Sequence, residues 1–478
     1  MTLIGSISWA TVYLASEWIV RIVMLIVVPF RRSPDAAKGW LLFVFFLPWP
    51  AMVVYFLIGR PGYPEWRQRR FARLPIVFRS VDERLTEVTD EQKPDLPANL
   101  RQAATLIQNL GRFGSVSGNT AELLSQYDAT IDRLVEDIDG ARLHVHLLFY
   151  IFADDATGQK VIDALGRAVS RQVPCRVLID ALGSRPWAAR TIAALKSVGV
   201  EVHLVLPLGL LRRKSARADL RNHRKIAVID GKIGYVGSQN LVNRDFKPGI
   251  VNQELVVRTT GPVVLQLQGV FVTDWFLETE QVLDDPAICP QPADTGATIA
   301  QVLPSGPDHP GAGVERLIEA LIYGARTRVV ITTPYFIPNE ALLHALETAV
   351  LRGVDVHLVL SKPVDQVLVN LAQRSYYSGL LASGVKIHLY RDKLLHAKHL
   401  SVDDDVCLIG SSNIDLRSFI LNSEISLVLF DPEVTQHLHE EQERYFAASE
   451  LLQLDRWNQR SLASKIIENI ARLMSPLL

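Results

Sequence analysis

The chain has 478 residues, 48% of them hydrophobic and 21% charged, with a formal net charge of −1. This length can bury a large core and leaves room for about three domain-sized units, while the near-zero charge excludes the broad basic field of a nucleic-acid-binding protein. The three cysteines, Cys175, Cys289 and Cys407, are widely spaced and odd in number. They form neither a disulfide framework nor a zinc set, and read as small buried hydrophobes in a reducing compartment.

A mean hydropathy of +0.15 is high for a soluble enzyme and points to membrane segments. The N-terminus is apolar from Leu3 to Phe30, interrupted by Glu17 and Arg21, which share a helix face four residues apart and can pair. A second run, Trp40 to Ile58, has no charge and is long enough to cross a bilayer at about 1.5 Å per residue. The two predict a transmembrane helical hairpin over 1–60, with spans at about 5–30 and 39–58. No basic stretch precedes the first run and a second follows it, which disfavours a signal peptide. Residues 61–97 read as a basic linker. Arg60, Arg67, Arg69, Arg70 and Arg73 face only Glu65, and the loop between the runs carries Arg31, Arg32 and Lys38 against Asp35. This bias places the large C-terminal part in the cytoplasm, and an even number of spans places the N-terminus there too. The same arginines suit anionic lipid heads.

From Ala98 onward, apolar strands alternate with amphipathic helical segments, the pattern of an α/β body with a mostly parallel sheet. The order of segments repeats, giving a first unit at 98–285 and a second at 313–478, joined by a Pro- and Gly-rich linker at 286–312. The closing stretch RWNQRSLASKIIENIARLMSPLL has helical apolar spacing. It reads as an amphipathic helix that packs on its unit or lies on a membrane.

Each unit carries the same polar signature. NHRKIAVIDGKIGYVGSQN (222–240) and LHAKHLSVDDDVCLIGSSN (395–413) match at His223/His396, Lys225/Lys398, Asp230/Asp403, Gly237/Gly410, Ser238/Ser411 and Asn240/Asn413. A downstream Asn-x-Glu also repeats, as Asn252/Glu254 and Asn422/Glu424. KIAVID and KIGYVG read as a hairpin around a tight Asp-Gly turn. Residues two apart on a strand share a face, so His223 and Lys225 point together. Asp230 sits at the turn with the opposite parity, suited to bonding backbone amides rather than an imidazole. Packed as a pseudo-dimer, the units would supply two histidines for nucleophilic and acid–base work. The lysines and asparagines would form a phosphate cradle. Glu254 and Glu424 are the expected carboxylate partners that fix the imidazole tautomers, with Glu254 assigned to His223. His144, His146 and His399 lack the acidic or cysteine companions of a familiar zinc set.

HRKIAVID and HAKHLSVD, each followed by Gly-Ser-x-Asn, resemble the duplicated H-x-K-x4-D motif of the phospholipase D superfamily. The N-terminal runs, DALGS, SGPD (305–308), TPYFIP (333–338), RGVDV (352–356), SFILNSE (418–424) and the SPLL terminus resemble bacterial cardiolipin synthases. The first unit departs from that pattern with SRQVPCRV in place of an Arg-Gly-Val, and with Gly237-Ser238 in place of Gly-Gly. The resemblance implies two phospholipase D-like α/β halves, with His223, Lys225, Asp230, His396, Lys398 and Asp403 as the catalytic set. Asn240, Asn413, Ser238, Ser411, Glu254 and Glu424 would bind phosphate or orient the set. It implies a two-step phosphatidyl transfer from one phosphatidylglycerol to another. His223 would be the nucleophile and His396 the acid and base, with cardiolipin and glycerol as products. No metal, cofactor, nucleic acid or obligate protein partner is implied, and the place of action is the bacterial inner membrane. A membrane-anchored phospholipase D that releases phosphatidic acid would need the same residues. A nucleic-acid phosphodiesterase shares the motif but lacks support from charge or membrane context.

Overall fold

The computed structural model describes residues 8–32, 34–59, 63–77, 79–207, 219–309 and 313–473. Arg60, the first residues of the N-terminal run and the SPLL terminus lie outside them.

The first apolar run forms the helix Trp9–Val27, capped by the Ser8 hydroxyl, and among the described residues it is the one helix long and apolar enough to cross a membrane. Glu17 and Arg21 pair on it at 3.3 Å. The second run is not the continuous span the sequence suggests. It is two short helices, Pro34–Phe46 and Pro48–Ile58, broken at Leu47. Pro48 has no N–H to give to the preceding turn and forces Leu47 away from helical geometry. The second helix then folds back on the first. The Trp40 and Tyr55 rings meet edge to face at 5.2 Å, and Arg32 Nε donates to the Gly59 carbonyl at 2.6 Å. In one straight helix those rings would lie about 22 Å apart along the axis. The run therefore starts and ends at the same level.

The basic segment that follows is also not a lipid-facing linker throughout. Arg67 and Arg70, on the helix Glu65–Phe71, are buried. Arg67 is fully enclosed and pairs with Asp274 at 3.4 Å, Asp308 at 3.5 Å and Glu278. Arg70 pairs with Glu280. Burial pushes the Asp308 carboxyl up to about 6 against the pull of Arg67. Replacing Arg67 by methionine takes the buried cation from Glu278 and Asp308 and leaves Asp274 to Arg224, and is expected to cost about 3–5 kcal/mol of stability. A urea titration in detergent micelles measures this, and an unchanged midpoint would count against the pairing.

The body is built on one mixed sheet. From one edge, the first half contributes Glu201–Val205, Cys175–Asp180, Val145–Phe149, Ile226–Ile229, Ile233–Gly237, Val256–Thr260 and Val116–Leu124. From the other edge, inside the short antiparallel edge strand Ser449–Leu451, the second half contributes Lys386–Tyr390, Asp355–Ser361, Arg328–Thr332, His399–Val402, Val406–Gly410, Asn422–Phe430 and Thr298–Ser305 in the same spatial order. The two join where Val116–Leu124 runs antiparallel to Thr298–Ser305, with Val116 opposite Ala300. In each half the first three strands are parallel and the rest antiparallel. The expected mostly parallel sheet is thus corrected to a mixed one, because the motif hairpin turns tightly at Asp230-Gly231 and Asp403.

The strands are apolar on both faces because both faces are covered. The helix Val263–Thr279 is buried along most of its length, mostly apolar, with Gln268, Asp274 and Glu278 bonded to other buried groups, as a helix inside a body must be. Its Phe271 and Trp275 share a central core with Val434 and Leu438 of the helix Pro432–Ala447, so that layer belongs to both halves. Two expected boundaries shift accordingly. The helix Ala98–Gly111 packs Ile107 and Leu110 into the second half's core, and Thr298–Ser305, inside the expected linker, is the strand of that half that joins the two halves at the middle of the sheet.

Candidate active site

The histidine segments leave their own halves. Arg221–Asn222 pairs in parallel with Asn422–Ser423, and Leu394–Leu395 with Asn252–Gln253. The His223 amide donates to the Ser423 carbonyl and the His396 amide to the Gln253 carbonyl, both at 2.8 Å. Each motif is held from behind by the end of a parallel strand of its own half. The Asp180 carboxylate accepts from the Asn222 amide at 2.9 Å, and the Ser361 hydroxyl accepts from the Leu395 amide at 3.2 Å.

This exchange sets the carboxylate pairing. Nδ1 of His223 lies 3.0 Å from both oxygens of Glu424, and Nδ1 of His396 lies 2.7 Å from Oε1 of Glu254. The expected pairing of Glu254 with His223 is therefore corrected: each glutamate serves the histidine of the other half. An ionised carboxylate only accepts, so Nδ1 carries the proton and Nε2 keeps its lone pair. Burial, with the nearby lysines, outweighs the glutamates and lowers both imidazoles, His223 to about 4. Burial alone would raise the glutamates, but His223 and Lys225 hold Glu424, and His396 and Lys398 hold Glu254, below the usual carboxylate range. The resting state is two ionised carboxylates and two neutral imidazoles. Asn252 and Asn422 each donate to the glutamate two residues on, at 3.3 Å. The Ser411 hydroxyl donates to Glu424, and the buried Ser238 sits beside Glu254 while bridging the Leu255 backbone.

His223, His396, Asn240 and Asn413 line one cavity of about 510 Å³ at the junction of the halves. Asn240 Oδ1 accepts from the Ile151 amide at 3.1 Å, which leaves its NH₂ as the group available to a ligand. Lys225 and Lys398 are not in this wall. Each folds beneath its histidine and donates to that histidine's carbonyl, Lys225 at 2.5 Å. Burial pulls Lys225 down to about 8 and Lys398 to about 7.

Asp230 and Asp403 stand apart from this chemistry. Asp230 accepts from the amides of Arg142, Leu143 and His144 at 2.7–3.1 Å, and Asp403 from those of Arg326, Thr327 and Arg328 over the same range. Both have positive φ, 55° and 50°. Their place in the catalytic set is corrected to a structural one: they tie the motif turn to the loop that enters the neighbouring strand. His144 and His146 stack at 4.4 Å and share Gln268 in the core.

Several groups in the wall went unnoticed in the sequence. The Tyr150 ring meets His223 edge to face at 4.8 Å. Asp365 accepts from Tyr335 Oη and Lys247 Nζ, both at 2.6 Å, and all three line the cavity with His396. Among the described residues the first half also has a connection without a counterpart in the second. Asp274 accepts from Asn222 at 3.0 Å and from Arg224 at 2.6 Å while pairing with Arg67, and Tyr63 Oη lies 2.5 Å from the Ser423 hydroxyl. Leu395 and Ala397 occupy the positions equivalent to Asn222 and Arg224, so among the described residues the juxtamembrane segment braces the His223 side and not the His396 side.

The model of the cardiolipin synthase, PLD-like domain matches residues 134–275 and 318–446. Cardiolipin synthase A of Pectobacterium atrosepticum is 36% identical over 99% of both chains, as is that of Yersinia pseudotuberculosis. A crystal structure of phosphatidylserine synthase from Haemophilus influenzae shares the fold with a TM-score of 0.60 at 17% identity, over 79% of this chain and 98% of that one. The chain belongs to the phospholipase D-like cardiolipin synthase family and is a phospholipid-modifying transferase.

Proposed function

We infer that the chain joins two phosphatidylglycerol molecules into cardiolipin and glycerol through a phosphohistidine. The observation that carries this reading is the pair of crossed Glu–His couples opening onto one cavity. Two neutral imidazoles with free Nε2 atoms on one phosphodiester-sized space suit a double displacement. His223 Nε2 attacks phosphorus and the bond to the departing glycerol oxygen breaks. His396 delivers the proton that this oxygen needs; the anionic phosphodiester offsets the burial that otherwise keeps that imidazole neutral. His396, now neutral, takes the proton from a hydroxyl of the second phosphatidylglycerol, whose oxygen attacks phosphorus and releases His223. Asn240 and Asn413 contact the phosphoryl oxygens, and the two lysines beneath add positive field without entering the wall.

Both substrates are bilayer lipids. In this reading the helix Trp9–Val27 inserts in the inner membrane and the folded-back pair embeds without crossing, leaving the body in the cytoplasm. A site fed from the lipid phase favours a lipid hydroxyl over water as acceptor.

The test is the product profile of the purified full chain in vesicles of headgroup-labelled phosphatidylglycerol. Cardiolipin and glycerol in equal amounts are expected. Phosphatidic acid without cardiolipin would replace the transfer reading with hydrolysis.

A further inference from the structure

The C-terminal helix Leu462–Arg472 is attached with its polar stripe inward. Glu468 is 1% exposed and accepts from Arg374 at 2.9 Å and Arg460 at 2.5 Å, and Ala471 is buried beside it. Arg472 lies over the Tyr376 ring at 4.6 Å. The opposite face carries Leu462, Ile466, Ile467 and Ile470, all at least half exposed, followed by Leu473 at 76%. An amphipathic helix packed on a soluble body buries its apolar stripe; this one turns it outward. Ion pairs hold the helix in place, and a broad apolar surface is left on offer.

The helix rests on Val367–Arg374, whose first turn exposes two further apolar side chains, Val367 at 70% and Leu368. The residues on either side of those two, Gln366 and Val369, are in the wall of the active-site cavity. On another part of the rim, Arg417 lines the cavity while Ile420 is exposed. Exposed apolar side chains thus stand directly beside residues of the cavity wall. Lys465 and Arg472 stand on the C-terminal helix and the preceding helix exposes Arg456 beside Asp455, a net basic set that suits anionic lipid heads more than a second copy of itself.

We propose that the outer face of Leu462–Arg472, with the first turn of Val367–Arg374, docks on the bilayer surface and seats the cavity mouth against the lipid. The N-terminal helix keeps the chain at the membrane; this face sets its orientation, so that a phosphatidyl headgroup enters the cavity without its acyl chains crossing water. The purpose of the face rests on the lipid substrate proposed above, but its location is tested independently of turnover.

The first experiment places a nitroxide at Ile467 or Ile470 through one introduced cysteine in a Cys289→Ser background of the full chain, Cys175 and Cys407 being buried. The protein is reconstituted in vesicles of phosphatidylglycerol and phosphatidylcholine. Relaxation by dissolved oxygen is expected to exceed relaxation by a water-soluble nickel chelate at both positions. Full access to the chelate would overturn the proposal. Protection from both relaxants together with spin–spin broadening would overturn it in favour of contact with a second copy. The second experiment compares Ile466→Asp with the unaltered protein. Turnover of long-chain lipid in vesicles is expected to fall about tenfold, while turnover of a short-chain phosphatidylglycerol dissolved below its micelle concentration stays the same. An equal loss on both substrates would show a folding defect and defeat the proposal. Absence of turnover by the unaltered protein on both would instead defeat the substrate reading, leaving the nitroxide depth to stand.

Discussion

His223→Ala is expected to lower phosphatidyl transfer by on the order of 10,000-fold or more, and His396→Ala by a comparable factor on natural lipid. The two separate when the donor carries a nitrophenol leaving group, which departs without a proton. With that donor His396→Ala still permits attack by His223, but no base remains to activate the acceptor. One nitrophenolate per chain should be released in a burst, and the phosphatidyl group should stay on His223, where peptide mapping finds it. His223→Ala should give neither burst nor label. Label on His396 in the His223→Ala protein would exchange the two roles. The bracing of Asn222 and Arg224 by Asp274 and Arg67 gives a structural reason to favour His223 as nucleophile. A nucleophile that forms and breaks a bond to phosphorus gains most from a fixed backbone, and the second half has leucine and alanine where those tethers begin.

The matched spacing of His, Lys, Gly, Ser and Asn in two distant strings carried most of the site, because a duplicated motif constrains both chemistry and strand order. The turn position of Asp230 was enough to separate it from the imidazole. The partner of each histidine was not legible. It depends on Arg221–Asn222 pairing with a strand some 200 residues away, and nothing local to either segment encodes that exchange. Leu47-Pro48-Trp49-Pro50 did contain the break in the second apolar run, but hydropathy summed over the whole run conceals it. The arginines after that run looked like lipid contacts because their acidic partners, Asp274, Glu278 and Asp308, lie 200 or more positions downstream. Periodicity identified the C-terminal helix and could not say which stripe would face the body, since that choice was made by Arg374 and Arg460 meeting Glu468.

The crossed pairing makes Glu424→Gln and Glu254→Gln the most informative changes after the histidines themselves. Glutamine keeps the shape and can still accept from Nδ1–H, but it withdraws the charge that stabilises an imidazolium and no longer enforces the tautomer. Each change is expected to reduce transfer by about 100- to 10,000-fold. Their phenotypes should differ with the nitrophenyl donor. Glu424→Gln weakens His223, so burst formation slows and little label accumulates, as in His223→Ala. Glu254→Gln weakens His396, so the burst survives and the intermediate persists, as in His396→Ala. The converse assignment would mean that each glutamate serves its own half, and the strand exchange would then be absent in the working enzyme. If the crossed pattern is found, neither half can be an independent catalyst. Each contributes a histidine whose tautomer is set only by the other, which explains on physical grounds why the motif must occur twice in one chain and why the two halves share a sheet and a core.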